Sequence, residues 1–294
     1  MNDLTLEIRG LEKSFPQFKL GPLDLNVPKG AIYGLIGPNG AGKTTTIDLI
    51  LGMGREDAGT IRVFGLDHRA QEVEVKRRIG YVSPDLNYDA WKWVSRLIHF
   101  IRKFYSDWDD TYCRELMEKL SVGWDDRIST LSFGMRIRLA LIVALSHRPA
   151  LLLLDEPIIG LDAVSKRDIF AELLAAVQDE NRTVLIASNT LSDIERFADH
   201  VGMIKNGRLL LEGPTAEIVD RYRMVDCLFA DGSALPKMQG FFVQERSEGR
   251  LRALVDTTGG AMRWLQDKGA MNISAEPSAA CHNLGIAYRD LVAA

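Results

Sequence analysis

The sequence predicts an α/β fold with a parallel sheet core, followed by a small C-terminal α+β module. First, apolar runs typical of buried strands alternate with helical segments, and strands separated by helices imply parallel βαβ units. Second, a glycine-rich loop directly follows one such run, AIYGLIG at 31–37. Third, the pattern changes near residue 223, where we place the boundary between residues 1–222 and residues 223–294.

The first part of the chain opens with three strand-like runs: LTLEIRGL, LDLNV and AIYGLIG. We expect turns around Gly21-Pro22 and at residues 28–30, then a helix over 44–51. Residues 60–83 are predicted to form a strand, a helix and a short strand. Beyond them, apolar side chains at three- and four-residue steps predict one face of a helix: Val94, Leu97, Ile98, Ile101, Phe104, Tyr105 and Trp108.

Residues 150–213 return to alternating strands and helices, with buried-strand runs LLLLD and TVLIAS. VGMIKNGRLLLEG is predicted to be a hairpin, because Asn206-Gly207 is a dipeptide typical of two-residue hairpin turns. After a short helix, TAEIVDRYR, the C-terminal module is predicted to run as strand FFVQER, strand LRALVD, helix AMRWLQDKG, strand NISAE and a final helix to Ala294.

Composition excludes several classes of protein. A chain of 294 residues suggests about two domains. The net charge of −4 argues against a dedicated nucleic-acid binder, which normally carries a basic face. No apolar run approaches the roughly 20 residues that a membrane-spanning helix needs, and MNDLTLEIRG does not resemble a secretory signal.

The cysteines are few and scattered. Cys113, Cys227 and Cys281 are an odd number at wide spacing, which argues against a disulfide framework and for a reducing compartment. Cys281 and His282 are neighbours without a second pair, so we do not expect a zinc site.

A phosphate-binding motif provides the main functional signal. The segment fits G-x-x-x-x-G-K-[ST] between an apolar strand and a helix, the context that the motif requires. Its glycines let backbone N–H groups surround phosphate oxygens, its lysine pairs with the β- and γ-phosphates, and its threonine offers a hydroxyl to Mg²⁺. The motif comprises Gly37, Pro38, Asn39, Gly40, Ala41, Gly42, Lys43 and Thr44, with Thr45 next in the chain.

A second signal is the pair of acids that ends the LLLLD run. A carboxylate at the tip of a core strand beside a phosphate loop can hold the Mg²⁺ shell, which is the role we assign to Asp155. Glu156 follows it and is placed to act as a general base on a water in line with the γ-phosphate. The two motifs therefore predict a site for β- and γ-phosphates with Mg²⁺ as cofactor, and the resemblance described next implies that the substrate is ATP.

In its ordered motifs, the chain resembles the ATP-binding subunits of ABC transporters over about residues 4–222. Leu131-Ser132-Phe133-Gly134-Met135 is similar to the family signature, and Gly160-Leu161-Asp162 is similar to its D-loop. Phe15 stands where the family places an aromatic that stacks on adenine. The resemblance implies a P-loop NTPase sheet core with an ABC helical subdomain over about 85–147.

The resemblance also implies partners. Two such subunits enclose two ATP molecules head to tail, with Ser132 and Gly134 against the opposite γ-phosphate and Asp162 at the dimer interface. The N-cap role of Ser132 on a helix is an alternative that is compatible with this one. A separate transmembrane permease, a second ATP-binding subunit and a cytoplasmic position on the inner face of the membrane are implied, with similarity to bacterial export systems.

Three positions depart from the family pattern. Asn189 stands where a histidine contacts the γ-phosphate, and asparagine cannot shuttle a proton. Pro84 and Asp85 replace the expected glutamine, which leaves Asp85 as the local candidate for a metal or water contact. The signature has Phe133 and Met135 in place of a glycine and a glutamine. We expect intact ATP binding with slow hydrolysis; the alternative is a nucleotide-gated regulatory module that hardly hydrolyses ATP.

Tyr88, Trp91 and Trp93 cluster beyond this loop. Large aromatics there suit a groove that receives a short helix of the membrane partner, as the family uses it. The alternative is that they pack inside the helical subdomain.

A ribosome- or DNA-associated member of the family is disfavoured, because the chain has neither two cassettes nor a long coiled coil. No catalytic constellation is found in residues 223–294, and a regulatory or dimer-supporting role for them rests on resemblance.

Overall fold

The computed structural model describes residues 3–157, 161, 166–167, 169–171, 175, 182–189, 194, 197–228, 241–247, 250–267 and 271–276. The strands within them are β1 (Leu4–Phe15), β2 (Phe18–Pro28), β3 (Ile32–Ile36), β4 (Ala58–Val63), β5 (Leu66–Asp67), β6 (Ile79–Val82), β7 (Leu151–Asp155), β8 (Thr183–Ser188), β9 (His200–Lys205), β10 (Arg208–Pro214), β11 (Tyr222–Leu228), β12 (Phe241–Ser247), β13 (Arg250–Asp256) and β14 (Met271–Glu276). The helices are α1 (Lys43–Ile50), α2 (Glu72–Arg77), α3 (Val94–Ile101), α4 (Asp110–Lys119), α5 (Phe133–Leu145), α6 (Thr215–Arg221) and α7 (Ala261–Asp267).

The central sheet has the order β10-β9-β3-β8-β7-β6, and only β10 runs antiparallel to its neighbour. Its inner strands are buried on both faces, which explains their nearly continuous apolar sequences. Side chains alternate between two cores: Leu152 and Leu154 face the one that contains α3, α4 and α5, whereas Leu151 and Leu153 face the one that contains α1, β1 and β2. The predicted P-loop type α/β core is confirmed.

Register aligns the ends of the three innermost strands. Ile36 pairs with Ser188, and Asp155 pairs with Ala187, so β3, β8 and β7 end at the same level. Parallel strands bring their carboxyl ends to one edge, where α/β folds place ligand sites. The segments that follow β3, β7 and β8 in the sequence therefore all begin at one edge of the sheet.

The N-terminal strands form a second sheet, of order β2-β1-β4-β5, which is antiparallel throughout. The turn predicted around Gly21-Pro22 is wrong, because β2 continues through this dipeptide and the β1–β2 connection lies at residues 16–17. The register of β1 against β2 shifts at this point, so the strand absorbs Gly21-Pro22 as an irregularity.

On the other face of the central sheet, α3, α4 and α5 enclose an apolar core. The prediction of one helix from Val94 to Trp108 is wrong in its extent: α3 ends at Ile101, a 3₁₀ turn covers 102–104, and Tyr105 is extended. Asp109 then accepts hydrogen bonds from the N–H groups of Thr111 and Tyr112 and caps α4. Among the helices of the described ranges, none is long and apolar enough to cross a membrane.

The third sheet has the order β12-β13-β11-β14 and is antiparallel. The helix predicted over 215–223 stops at Arg221, and β11 begins at Tyr222. Val225, Cys227, Leu251 and Val255 pack with Leu265 of α7 in a small core of their own. Cys113 and Cys227 are free and buried. The predicted final helix, Cys281 and His282 lie outside the described residues.

The predicted β9–β10 hairpin is confirmed, with Asn206 at φ 48° and Gly207 at φ 75°. This turn is a structural bridge. The N–H of Gly207 donates to Ala41 O at 2.9 Å, and the N–H of Gly21 donates to Gly207 O at 2.7 Å. The turn therefore joins the glycine-rich loop to strand β2.

Gly207→Ala should destabilise the chain far more than Gly65→Ala. Both glycines have φ near +75°, but a Cβ at Gly207 would lie 2.1 Å from Lys19 O, whereas a Cβ at Gly65 meets nothing within 4 Å. We expect a loss in the free energy of unfolding of about 3 kcal/mol at Gly207 and about 1 kcal/mol at Gly65, measured by urea denaturation. Equal losses would contradict the close approach.

Candidate functional site

The glycine-rich loop connects the end of β3 to the start of α1. Gly42 is the N-cap of α1 at φ 109°, and no side chain caps the helix. A left-handed φ of this kind is tolerated by glycine and strained in other residues. The uncapped N–H groups at the start of α1 carry the positive end of the helix dipole, so the loop and the helix together form an anion site.

Lys43 is buried within this loop, with its side chain 5% exposed. Its Nζ donates to Gly37 O at 2.8 Å and Pro38 O at 3.2 Å, and lies 3.2 Å from Glu156 Oε1. Because a buried ammonium group is costly unless it is paired, these three oxygens fix the lysine head inside the loop. The cation is thus held where a phosphate bound to the loop would meet it.

Thr44 and Asp155 are joined across the site: Thr44 Oγ1 donates to Asp155 Oδ2 at 2.7 Å. Asp155 is 3% exposed, and its buried Oδ1 has no hydrogen-bond partner. Burial raises the pKa of Asp155, and the charge of Asp85 raises it further, whereas the bond from Thr44 and the charge of Lys43 lower it. A buried carboxylate oxygen without a partner, beside a hydroxyl, fits a hard divalent cation such as Mg²⁺.

This pair cannot complete a cation site by itself. Throughout the described ranges, no group of three His, Cys, Asp and Glu side chains is arranged to hold a metal ion. A magnesium ion at Thr44 and Asp155 would therefore take its remaining oxygen ligands from water and phosphate, which is how Mg²⁺ is usually held beside nucleotides.

Asp85 lies near the same site without a hydrogen bond to it in the described structure. Its N–H donates to Ser83 Oγ at 3.2 Å, and its charge raises the pKa of both Asp155 and Asp48. Burial is the largest cause of the raised pKa of Asp48. Sequence reasoning missed Asp48, although its position one turn after Thr44 on α1 places the two side chains on the same helix face.

Glu156 and Asn189 approach the loop from the ends of β7 and β8. Glu156 has φ 45°, an uncommon value for this residue, and its N–H donates to Ala187 O at 3.0 Å. Asn189 Nδ2 donates to Asn39 Oδ1 at 3.1 Å. The structure therefore shows two contacts, Lys43 with Glu156 and Asn39 with Asn189. Spacing along the chain did not reveal these pairings.

Phe15 is 46% exposed and stacks on Phe18, with ring centroids 6.3 Å apart. Phe18 packs close to the loop, since a Cβ at Gly42 would lie 3.0 Å from Phe18 Cζ. The exposed face of Phe15 is thus anchored beside the phosphate loop. Thr45 lies half-buried in the first turn of α1.

The LSFGM segment starts α5. Ser132 is its N-cap and accepts a hydrogen bond from the N–H of Met135 at 3.3 Å. A Cβ at Gly134 would lie 3.3 Å from Leu161 Cδ2, and Phe133 is 44% exposed. Within the described residues, no hydrogen bond or ion pair joins this segment to the phosphate loop of the same chain. Asp162 lies outside the described residues.

A groove of about 450 Å³ lies between the central sheet and the helices. Tyr88 lines it with Ile101, Phe104, Tyr105 and His147, among others. Tyr105 stacks on His147 at 3.9 Å, and burial lowers the pKa of His147 to about 4.

The two tryptophans of the aromatic cluster do not line this groove. Trp91 is half-buried, with its ring tilted against that of Phe100 and the ring centroids 4.1 Å apart, while Trp93 is half-buried beneath the guanidinium of Arg127. Of the three aromatics in the cluster, only Tyr88 thus reaches the groove, and Trp91 also packs against the helical core.

Asp155→Asn should stabilise the nucleotide-free chain at neutral pH. Because the pKa of Asp155 is raised on folding, the folded chain keeps this proton to higher pH than the unfolded chain, and stability falls as pH rises through that interval. Asparagine does not ionise, so the variant should not lose this stability as the pH rises. The free energy of unfolding in urea near pH 7 should increase, without added metal.

The control is Asp57→Asn. Asp57 accepts hydrogen bonds from the Ser14 N–H and from Lys13, and these lower its pKa, so the same substitution should give no gain there. A lower stability of Asp155→Asn than of wild type near pH 7 would contradict the assignment.

A family model described as "ABC transporter" matches residues 20–159. The chain is 33% identical over 227 residues to the ABC transporter ATP-binding protein YtrB of Bacillus subtilis (strain 168), covering 76% of this chain and 77% of the relative. It is 36% identical over 222 residues to the daunorubicin/doxorubicin resistance ATP-binding protein DrrA of Streptomyces peucetius, covering 72% and 66%. It is 34% identical over 203 residues to the bacitracin transport ATP-binding protein BcrA of Bacillus licheniformis, covering 68% and 66%.

Solved structures agree in fold. An ATP-binding subunit of an ABC transporter superposes with a TM-score of 0.67 at 22% identity, covering 74% of this chain and 92% of that one. A nucleotide-free ATP-binding cassette superposes with a TM-score of 0.62 at 25% identity, covering 72% and 91%.

Proposed function

The chain belongs to the ABC transporter family, whose ATP-binding subunits are ATPases coupled to transport, and from this premise we propose that it powers export through a separate transmembrane permease in a bacterium. The single observation that carries the proposal is the assembled cluster around the loop, in which Lys43 meets Glu156 and Thr44 meets Asp155. Relatives named for daunorubicin/doxorubicin resistance and for bacitracin transport support export as the direction.

ATP binding follows from the loop. The N–H groups of residues 37–44 and the start of α1 surround the phosphates, Lys43 pairs with the β- and γ-phosphates, and Phe15 offers its exposed face to adenine. Thr44 and Asp155 would hold Mg²⁺, which neutralises phosphate charge when it is bound. Asp85 adds negative charge near that position.

Hydrolysis would use Glu156 as the base. Glu156 Oε1 lies 3.2 Å from Lys43 Nζ. A bound γ-phosphate competes for the ammonium group of Lys43 and so releases the carboxylate of Glu156. Glu156 then accepts a proton from the water that attacks the γ-phosphorus, the bond to the β-phosphate oxygen breaks, and ADP and phosphate leave.

Asn189 sets the expected rate. Its amide already donates to Asn39 at the tip of the loop, and it can hydrogen-bond a phosphate oxygen but cannot carry charge or shuttle a proton. The loss of one stabilising contact of this kind costs about 10²–10³ in rate. We therefore infer intact ATP binding with slow hydrolysis. The second candidate function, a nucleotide-gated regulatory module with little ATPase activity, is favoured by this same substitution.

The signature segment would act in a dimer. Ser132 and Gly134 stand at the exposed N-terminus of α5, whose dipole favours an anion. Because they make no hydrogen bond to their own loop within the described residues, we propose that they meet the γ-phosphate held by a second ATP-binding subunit, with Asp162 at that interface.

We also propose how the chain is divided and where it acts. Residues 1–222 would form the ATP-binding domain, with the helical subdomain at about 85–147, and residues 223–294 a small accessory module. The groove lined by Tyr88 and Tyr105 would receive a short helix of the permease, which would hold the subunit at the cytoplasmic face of the membrane.

Glu156→Gln should abolish steady-state ATPase activity, lowering it by about 10²–10⁴, because glutamine keeps the shape of the side chain but cannot accept the proton. The affinity for ATP, measured by fluorescent nucleotide displacement, should change by less than about threefold. The control is Glu72→Gln, which breaks another Lys–Glu pair, Lys76–Glu72, on the surface. Retention of more than a tenth of the activity in Glu156→Gln would contradict the assignment of Glu156 as the general base.

Asn189→His should raise the turnover of the purified chain by about 10²-fold, because it restores a donor that can carry charge. Asn189→Ala separates this gain from mere loss of the bond to Asn39, and should show none. If Asn189→His is no faster and wild type already matches ordinary transporter ATPases, hydrolysis is not limited at this position.

A further inference from the structure

The outer face of α3 and the 3₁₀ turn after it carries a strip of basic and aromatic side chains. It consists of five exposed residues with the i, i+3, i+4, i+7, i+8 spacing of one helix face: Arg96, His99, Phe100, Lys103 and Phe104. We call them the basic-aromatic strip. Val94, Leu97 and Ile98 on the opposite face are buried in the helical core. Packing of α3 against the core therefore explains the apolar residues on its inner face, but it does not explain the residues of the strip, which face outward.

Aromatic rings form a ridge along the strip. Phe100 lies 4.1 Å from Trp91 and 5.0 Å from Phe104, measured between ring centroids. Phe100 is 40% exposed and Phe104 is 60% exposed. Large apolar rings that contact one another yet stay open to solvent are typical of surfaces that meet a partner.

The charge beside this ridge is positive. Arg96 and Lys103 make no ion pair or hydrogen bond with any residue that the structure describes. The neighbouring cation Arg102 pairs with Asp110 at 3.3 Å, and Asp89 pairs with Arg136 at 3.1 Å. Two further exposed acids lie nearby: Asp107 follows the 3₁₀ turn, and Asp125 lies in the loop whose Trp124 O accepts a hydrogen bond from the N–H of Ser95 at 3.0 Å. The strip is thus a cationic surface on a chain whose net charge is −4.

We propose that the basic-aromatic strip rests on the anionic surface of the membrane. That the strip faces the membrane rests on the proposed function, which assigns the groove to a helix of the permease. Phe104 belongs to the strip and also lines this groove, so the two surfaces are continuous. Lysine and arginine are attracted to anionic headgroups, about fivefold in affinity for each residue. Phe100 and Phe104 occupy the headgroup level, where aromatic side chains are favoured.

Sedimentation of the purified full chain with lipid vesicles tests the proposal. Vesicles of phosphatidylcholine with phosphatidylglycerol, at millimolar lipid and low salt, should bind the chain, and vesicles of phosphatidylcholine alone should bind it much less. Arg96→Glu/Lys103→Glu should weaken binding by at least about 25-fold, because two residues are lost at about fivefold each. Added salt should weaken wild-type binding, because the attraction is screened.

The matched control is Arg55→Glu/Arg62→Glu. It changes the net charge equally at two exposed arginines outside the strip, and should keep wild-type binding within about threefold. Equal losses in both double variants, or no preference of wild type for anionic vesicles, would overturn the proposal. The second result is also expected if an acidic protein segment covers the strip instead.

ATPase activity of the same preparations separates this inference from the proposed function. The strip contains none of the residues of the ATP site, so both double variants should hydrolyse ATP like wild type, which also shows that they are folded. Absence of activity in wild type would count against the proposed function, while vesicle binding is scored independently of it.

Discussion

Burial of the central strands on both faces is the constraint on which the structure depends. A strand such as β7 has no solvent-facing side, so its sequence is apolar until the chain leaves the sheet. Polar chemistry can then begin only at the strand ends. Because β3, β7 and β8 are parallel and end in register, their first polar residues meet at one edge. The site is a consequence of how the core is filled.

Charge balance within that edge follows from the same burial. Lys43 and Asp155 are both nearly inaccessible to water, and each contacts a side chain from another element, Glu156 for Lys43 and Thr44 for Asp155, although Asp155 Oδ1 has no partner. The balance is incomplete on the acidic side: beyond the effect of burial, the charges of Asp155 and Asp85 raise the pKa of Asp48, and the charge of Asp85 raises the pKa of Asp155. A site with clustered carboxylates favours a cation, and a loop with open N–H groups favours an anion, so the edge is suited to a metal-bound phosphate.

The sequence was sufficient for features that local chemistry determines. The GPNGAGKT loop, the LLLLD strand with its acids and the Asn206-Gly207 hairpin each require particular residues at fixed spacing, so their patterns are specific. The contacts between them were not predictable, because Asn39 meets Asn189 across 150 positions of sequence. Apolar periodicity also failed to predict that α3 ends at Ile101. Periodicity indicates which side chains are buried, and residues after a helix can continue the same spacing in a 3₁₀ turn.

The hydrogen bond from Gly207 to Ala41 has a consequence for the order in which the protein is made. The phosphate loop leaves the ribosome long before residues 200–208, at a synthesis rate of about 5–20 residues per second. Until then, β9 is absent from beside β3, and Ala41 lacks the donor that the finished turn supplies. A nascent chain therefore carries the whole loop sequence without its full support, and the loop reaches its final bonding only after the last strands of the central sheet have emerged.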